Sequence, residues 1–232
     1  MKEFSPGHIL LSLTVSISIL TALVFIARRR RFTELVRRFG FYIVIVALFE
    51  LYSYWLVFVR GHEENNLYLL HIFTLIEFVL IAWFFGKLFE LFKLKLNTRL
   101  IISIGAVLIV LNSVLLQPLE VYNSFSRTAV QLCFLACCFV GFYLFTQRNY
   151  TFKDRGVIKL VLIALLIKYS GSLFLYLFSN RIVDLPAQTQ VNIWLINPSL
   201  NFLAQMIILF ALVGFLMNTK RPKNKQVKQE YF

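Results

Sequence analysis

Cysteine, histidine and glycine are scarce in this chain, and acidic residues are outnumbered more than two to one. Among 232 residues there are three Cys, three His, nine Gly, and 11 Asp plus Glu against 24 Lys plus Arg. Cys133, Cys137 and Cys138 fall together in one apolar run, which excludes a disulfide framework and makes them packing residues. His8, His62 and His71 are too few and too scattered for a membrane metallohydrolase. No Walker A loop, HExxH, Rossmann fingerprint or CxxC pair occurs, so no metal and no cofactor is expected. Ser170-Gly-Ser172 has no histidine near it to act as base, and an enzyme is the less favoured class.

Polar stretches are lacking as well. The chain is 59% hydrophobic with 25 Phe, and its apolar residues come in runs of about the 20 needed to cross a bilayer. Seven runs can be drawn, at 8–27, 39–59, 67–85, 100–116, 128–146, 157–178 and 193–217. None shows the period-2 alternation of a membrane barrel, so the expected fold is an all-α bundle of seven transmembrane helices over residues 1–217. Residues 218–232 read as a basic, disordered cytoplasmic tail.

The net charge of +13 is a matter of topology and does not point to nucleic acid. Eighteen cations, among them Arg28–Arg31, Arg37, Arg38, Lys87, Lys93, Lys95, Arg99, Arg148, Lys153, Arg155 and five in the tail, flank the runs on one side. Four, Lys2, Arg60, Arg127 and Arg181, flank them on the other. By the positive-inside rule the N-terminus is outside and the C-terminus in the cytoplasm, as expected of a multi-pass protein of a bacterial plasma (inner) membrane. The first run has its basic cluster behind it and no small-x-small cleavage site, so it reads as a retained helix. The stretch 86–99 reads as an interfacial extension of helix three.

Shifting the sequence by 117 residues overlays runs one and two on runs five and six. Arg31 then meets Arg148, Ala47-Leu48 meets Ala164-Leu165, and Tyr52-Ser53 meets Tyr169-Ser170. This is a possible 3+1+3 parallel repeat, and it resembles SWEET and PQ-loop proteins in plan only. No Pro-Gln pair occurs, and Gln117-Pro118 runs in reverse. The stretch Asn65-Asn-Leu-Tyr-Leu-Leu-His71 followed by Glu77-Phe78 resembles small seven-helix membrane proteins of Bacteroidetes-type bacteria, a likeness that implies no activity.

Three ionisable residues lie near the midpoints of such runs: Glu50, Glu77 and Lys168. At that depth a charge costs several kcal/mol and normally faces a bundle interior, a cavity or a partner. If helices two, three and six are neighbours, a lysine sits between two carboxylates. Polar residues at helical spacing join them: Tyr54 on helix two, Tyr169 and Ser172 on helix six, Asn197 and Asn201 on helix seven, with His71 and Asn112 in outer half-helices. Pro198 removes a backbone donor near the start of helix seven. The set is expected to line an outward-opening pocket for a small polar or charged solute. A small-solute transporter is the leading reading, and a receptor or sensor subunit signalling through a cytoplasmic partner is the alternative. The other expected partners are the bilayer and a second copy of the chain.

Overall fold

Long apolar runs leave the backbone no hydrogen-bonding partner but itself, and the chain is helical accordingly. The structure, a computed structural model, describes residues 6–56, 67–147 and 154–218, and no strand occurs among the described residues. The helices are α1 (Pro6–Arg28), α2 (Glu34–Tyr54), α3 (Leu67–Leu91), α4 (Thr98–Leu111), α5 (Ser124–Gln147), α6 (Arg155–Leu177), the short α7 (Ser179–Ile182) and α8 (Ala187–Trp194), and α9 (Ile196–Asn218). A 3₁₀ turn, Arg29–Arg31, extends α1, and a π-helical turn, Asn112–Leu116, extends α4. Six stretches are long and apolar enough to cross a membrane: α1, α3, α4, α5, α6, and α8 with α9. α2 has 21 residues and carries Glu34, Arg37, Arg38 and Glu50. The connection at 60–66, residues 148–153 and the tail at 219–232 lie outside the described residues.

Four boundaries differ from the sequence expectation, the first being that of α2, which starts at Glu34 and not at Phe39. α5 starts at Ser124, not Thr128, so Arg127 lies inside a helix and not in a connection. The connection expected at 179–192 is largely helical, as α7 and α8. The last run breaks at Leu195, between α8 and α9. Pro198 explains that break, because it has no N–H to give the carbonyl of Trp194 four residues earlier. The expected extension of helix three is helical to Leu91 and stops at Lys93, which takes a left-handed φ of 61°.

α1 packs on α2, α2 on α3, α3 on α5, α5 on α6, α6 on α9, and α9 back on α1. Six helices therefore close a ring. α4 packs against α3 outside it, with Leu108, Val114 and Leu115 exposed. Small residues allow close crossings: a Cβ built on Gly40 would lie 1.9 Å from the Phe25 ring, and one on Gly105 would lie 2.2 Å from Phe78. α1, α3, α5 and α9 begin at one end of the ring, called here the mouth. Towards the other end the interior is aromatic, with Phe39 against Phe84 at 5.2 Å and Phe85 against Phe134 at 6.3 Å. That far end carries exposed Arg28–Arg31. There Glu34 bonds Arg38 at 2.6 Å and lies 3.6 Å from Lys87 of α3. The Arg38 hydrogen bond, with help from Lys87, holds the Glu34 carboxyl below its usual range.

Candidate functional site

Glu77 is fully buried in α3, and a lone carboxylate in such a place needs donors or counter-charge. It has both. Its Oε1 accepts from Lys168 Nζ of α6 at 2.8 Å, from Tyr42 of α2 at 2.9 Å and from Tyr169 of α6 at 3.1 Å. Its Oε2 accepts from Arg127 Nη1 of α5. Lys168 also donates to the Tyr42 hydroxyl at 2.5 Å. Four helices of the ring, α2, α3, α5 and α6, thus converge on one carboxylate. Arg127 and Lys168 are themselves 3% and 8% exposed. The ion pairs are therefore desolvated, and their mutual attraction must offset that cost.

Aromatic faces complete the cage. Arg127 lies 5.4 Å from the Phe73 ring centroid and 5.1 Å from that of Tyr176, and Lys168 lies 5.7 Å from that of Phe73. Such contacts help hold cations removed from water. One helical turn from Lys168, Ser172 donates to the lysine's own carbonyl at 2.7 Å and accepts from Gln131 of α5 at 2.9 Å.

Above this cluster, on the mouth side, the ring opens into a cavity of about 380 Å³. Glu50, Arg127 and Lys168 line it, together with Thr14, Ser53, Tyr54, Asn197 and Asn201. Phe49, Phe73, Tyr122, Tyr176 and Trp194 supply aromatic wall. Tyr122 and Trp194 stack at 5.2 Å with only 9° between their planes, and Trp194 meets Tyr176 edge-on at 6.1 Å. Burial raises the phenol pKa of Tyr122, with Tyr176 adding to it.

Glu50 stands apart from the cage. It is two turns beyond Tyr42 on α2, and Ser18 of α1 lies beside it. Its Oε2 is buried without a hydrogen-bond partner, as are Ser18 Oγ and the side-chain oxygens of Asn201 and Gln205 on α9. Thr14 bridges α1 to α9 through the Pro198 carbonyl at 3.2 Å, which sets these two helices side by side at that level.

The residues singled out from sequence therefore divide into three groups. Glu50, Tyr54, Lys168, Asn197 and Asn201 line the cavity. Glu77, Tyr169 and Ser172 lie beneath it in the buried network. His71 and Asn112 lie elsewhere. His71 bonds Ser113 at 2.8 Å and the Val121 carbonyl at 3.0 Å, tying α3 to the α4–α5 connection. Asn112 donates to Gln117 at 3.1 Å and lines a second, mostly apolar cavity of about 290 Å³ between α4 and α5. Sequence reasoning misses Arg127 and Tyr42. Arg127 reads from sequence as a flanking cation, and Tyr42 as one of ten tyrosines. Where the sequence suggests a lysine between two carboxylates, the structure has a carboxylate between two cations, with the second carboxylate across the cavity floor.

No group of three or more His, Cys, Asp or Glu side chains that could hold a metal ion occurs among the described residues. Chemically the site presents two cations, a carboxyl, hydroxyls and amides around an apolar-walled space. That arrangement suits recognition of a small polar solute. No protein-family model matches the chain, and no curated protein and no solved structure matches it.

Proposed function

We propose that this protein is a seven-span carrier of the bacterial inner membrane that takes up or exports a small polar or charged solute. The carrying observation is the cavity of about 380 Å³ inside the helix ring, with Glu50, Arg127 and Lys168 on its walls. Intramembrane charges that face a shared cavity mark substrate or ion pathways more often than packing alone would require.

The seventh span is α2. Its apolar part runs from Phe39 to Leu56, and it packs between α1 and α3. The cation bias at the far end supports an N-terminus outside, which makes the mouth the outer face. With Arg127 withdrawn into the bundle, that bias is stronger than the sequence count alone.

The ring supports alternating access. Two triplets, α1-α2-α3 and α5-α6-α9, meet at the α3–α5 and α9–α1 seams, with α4 as the linker. Under a parallel repeat the contacts α1–α2, α2–α3 and α3–α5 correspond to α5–α6, α6–α9 and α9–α1. Each of those six contacts is present. Side-chain burial does not follow the repeat in detail, since Tyr52 is 44% exposed while Tyr169 is 0%. The cavity lies between the triplets, and the Glu77 network and Phe layer close it below. Rocking one triplet against the other would expose the cavity to the opposite side.

The alternative, a receptor or sensor subunit with the same cavity, is served by the exposed Arg28–Arg31 run as a partner contact. Flux separates the two readings. In proteoliposomes, a carrier moves at least one radiolabelled solute from a panel of amino acids, organic acids, amines and sugars, and Glu50→Gln or Lys168→Met slows it. Saturable binding without counterflow for every bound solute would establish the sensor and end the carrier reading.

A further inference from the structure

We infer that the solute is a small zwitterion with a primary ammonium, a carboxylate and an apolar body, an amino acid in chemical class. The inference rests on the solute-site reading above and deepens it.

Charge balance is the first argument. Arg127, Lys168 and Glu77 sum to one positive charge at the floor of the cavity. Glu50, on the wall formed by α2, adds one negative charge when an ammonium docks against it and holds it ionised. With Glu50 ionised the set is neutral but divided, with positive charge on α5 and α6 and negative charge on α2. In the ring α2 and α6 are three helices apart in either direction, so these walls face each other across the cavity. A simple cation would leave the positive floor uncompensated in a desolvated place, at a cost of several kcal/mol, and a simple anion would leave Glu50 without a cationic partner. A zwitterion aligned with the division leaves none.

Unused hydrogen-bonding capacity is the second. Glu50 of α2 and Asn201 of α9 line the cavity, and one buried side-chain oxygen of each accepts nothing. Buried acceptors without donors are costly, and each calls for an N–H. A primary ammonium supplies three, whereas a quaternary ammonium supplies none. On the positive wall, Lys168 has committed two of its three donors, to Tyr42 and Glu77. Arg127 Nη1 serves Glu77, while its Nε has no partner. A carboxylate is the group that matches guanidinium and ammonium donors side by side.

Size and polarity are the third. The cavity holds about a dozen waters' worth of volume at roughly 30 Å³ each. Much of its remaining wall is apolar, with Leu11, Val15, Val46 and Leu69 beside Phe49, Phe73, Tyr176 and Trp194. That wall suits an aliphatic or aromatic side chain.

The test uses the full-length purified protein, with binding read by calorimetry and by thermal stabilisation. The probes are L-phenylalanine and L-leucine, their carboxylate-only relatives 3-phenylpropanoate and 4-methylpentanoate, the amine-only relatives phenethylamine and isoamylamine, and the trimethylammonium derivative of phenylalanine. At least one amino acid is expected to bind about 30-fold or more tightly than each of its relatives in this set, since each lacks a charged partner or its N–H donors. Glu50→Gln, which removes a carboxylate that has no hydrogen-bond partner at Oε2, is expected to erase the preference over the carboxylate-only probe while the protein stays folded. If a carboxylate-only, amine-only or trimethylammonium probe binds as tightly as its amino acid, and Lys168→Met or Glu50→Gln abolishes that binding, the zwitterion inference fails and the solute site stands. If no probe binds and sugars or inorganic ions also leave the melting temperature unchanged, both fail.

Discussion

Removing the Glu77 charge is expected to cost more stability than any other single change in the polar network. Glu77→Gln keeps the side-chain volume and deletes the anion that pairs with both Arg127 and Lys168. Two buried cations, 3% and 8% exposed, would then face each other without compensation. Breaking a buried pair by deleting one partner costs about 3–5 kcal/mol, and here one deletion breaks two pairs. For a chain of this length 1 kcal/mol moves the melting temperature by roughly 2–4 °C, so the loss corresponds to about 6–20 °C. Lys168→Met changes the same network in the opposite sense. It leaves Glu77 paired with Arg127 and takes the buried cluster from one net positive charge to none. Its cost is therefore expected to be smaller, and the double variant should be more stable than Glu77→Gln alone. The assay is thermal unfolding of wild type, both single variants and the double variant in one detergent at one pH. If Glu77→Gln melts within 2 °C of wild type, or if Lys168→Met is the more damaging change, the charge argument is refuted.

Further outcomes follow from the same geometry. Tyr42→Phe deletes a hydroxyl that joins Lys168 to Glu77 and is expected to cost about 1–3 kcal/mol, more than Tyr169→Phe, which loses one bond at 3.1 Å; chemical denaturation of the two variants checks the order. Gly40→Val drives a side chain into the Phe25 ring, which a Cβ at that position would already approach to 1.9 Å. It is expected to cost on the order of 1–3 kcal/mol, or to prevent accumulation in the membrane, as a melting curve or a membrane blot would show. His71→Ala is expected to loosen the α4–α5 connection, seen as faster proteolysis there, while leaving solute affinity within about twofold, because its ring bonds Ser113 and Val121 and not the cavity.

Much of the architecture is legible in the sequence because the bilayer reads simple quantities. Run length and uniform apolarity give the long helices and their order, while the short helices α7 and α8 fall where a connection is expected. Glu50, Glu77 and Lys168 stand out for the same reason, since burying charge in hydrocarbon is costly enough to be rare. Arg127 is not legible. It sits at the edge of an apolar run, where arginines ordinarily serve topology, and only its place in the first turn of α5 turns it inward towards Glu77. Tyr42 is hidden in a run of Phe and Ile, because partnership across a ring depends on which helices are neighbours, and hydropathy carries no such information. His71 and Asn112 are selected by depth alone. Their depth is right, but their helix faces point to α4 and its connection and not to the ring interior.

Chemical access to the cavity from the mouth side tests the central claim most directly. In a chain with Cys133, Cys137 and Cys138 replaced by Ala, single substitutions Asn197→Cys, Asn201→Cys and Phe139→Cys would be exposed in intact cells to a membrane-impermeant thiol reagent. Asn197 and Asn201 line the cavity, whereas Phe139 is 63% exposed on the outside of α5. The account predicts labelling of Asn197→Cys and Asn201→Cys from outside, slowed by a bound solute, and none of Phe139→Cys, which lipid covers. Labelling of both cavity positions only after the cytoplasmic face is opened, or of neither position from either side, would contradict it.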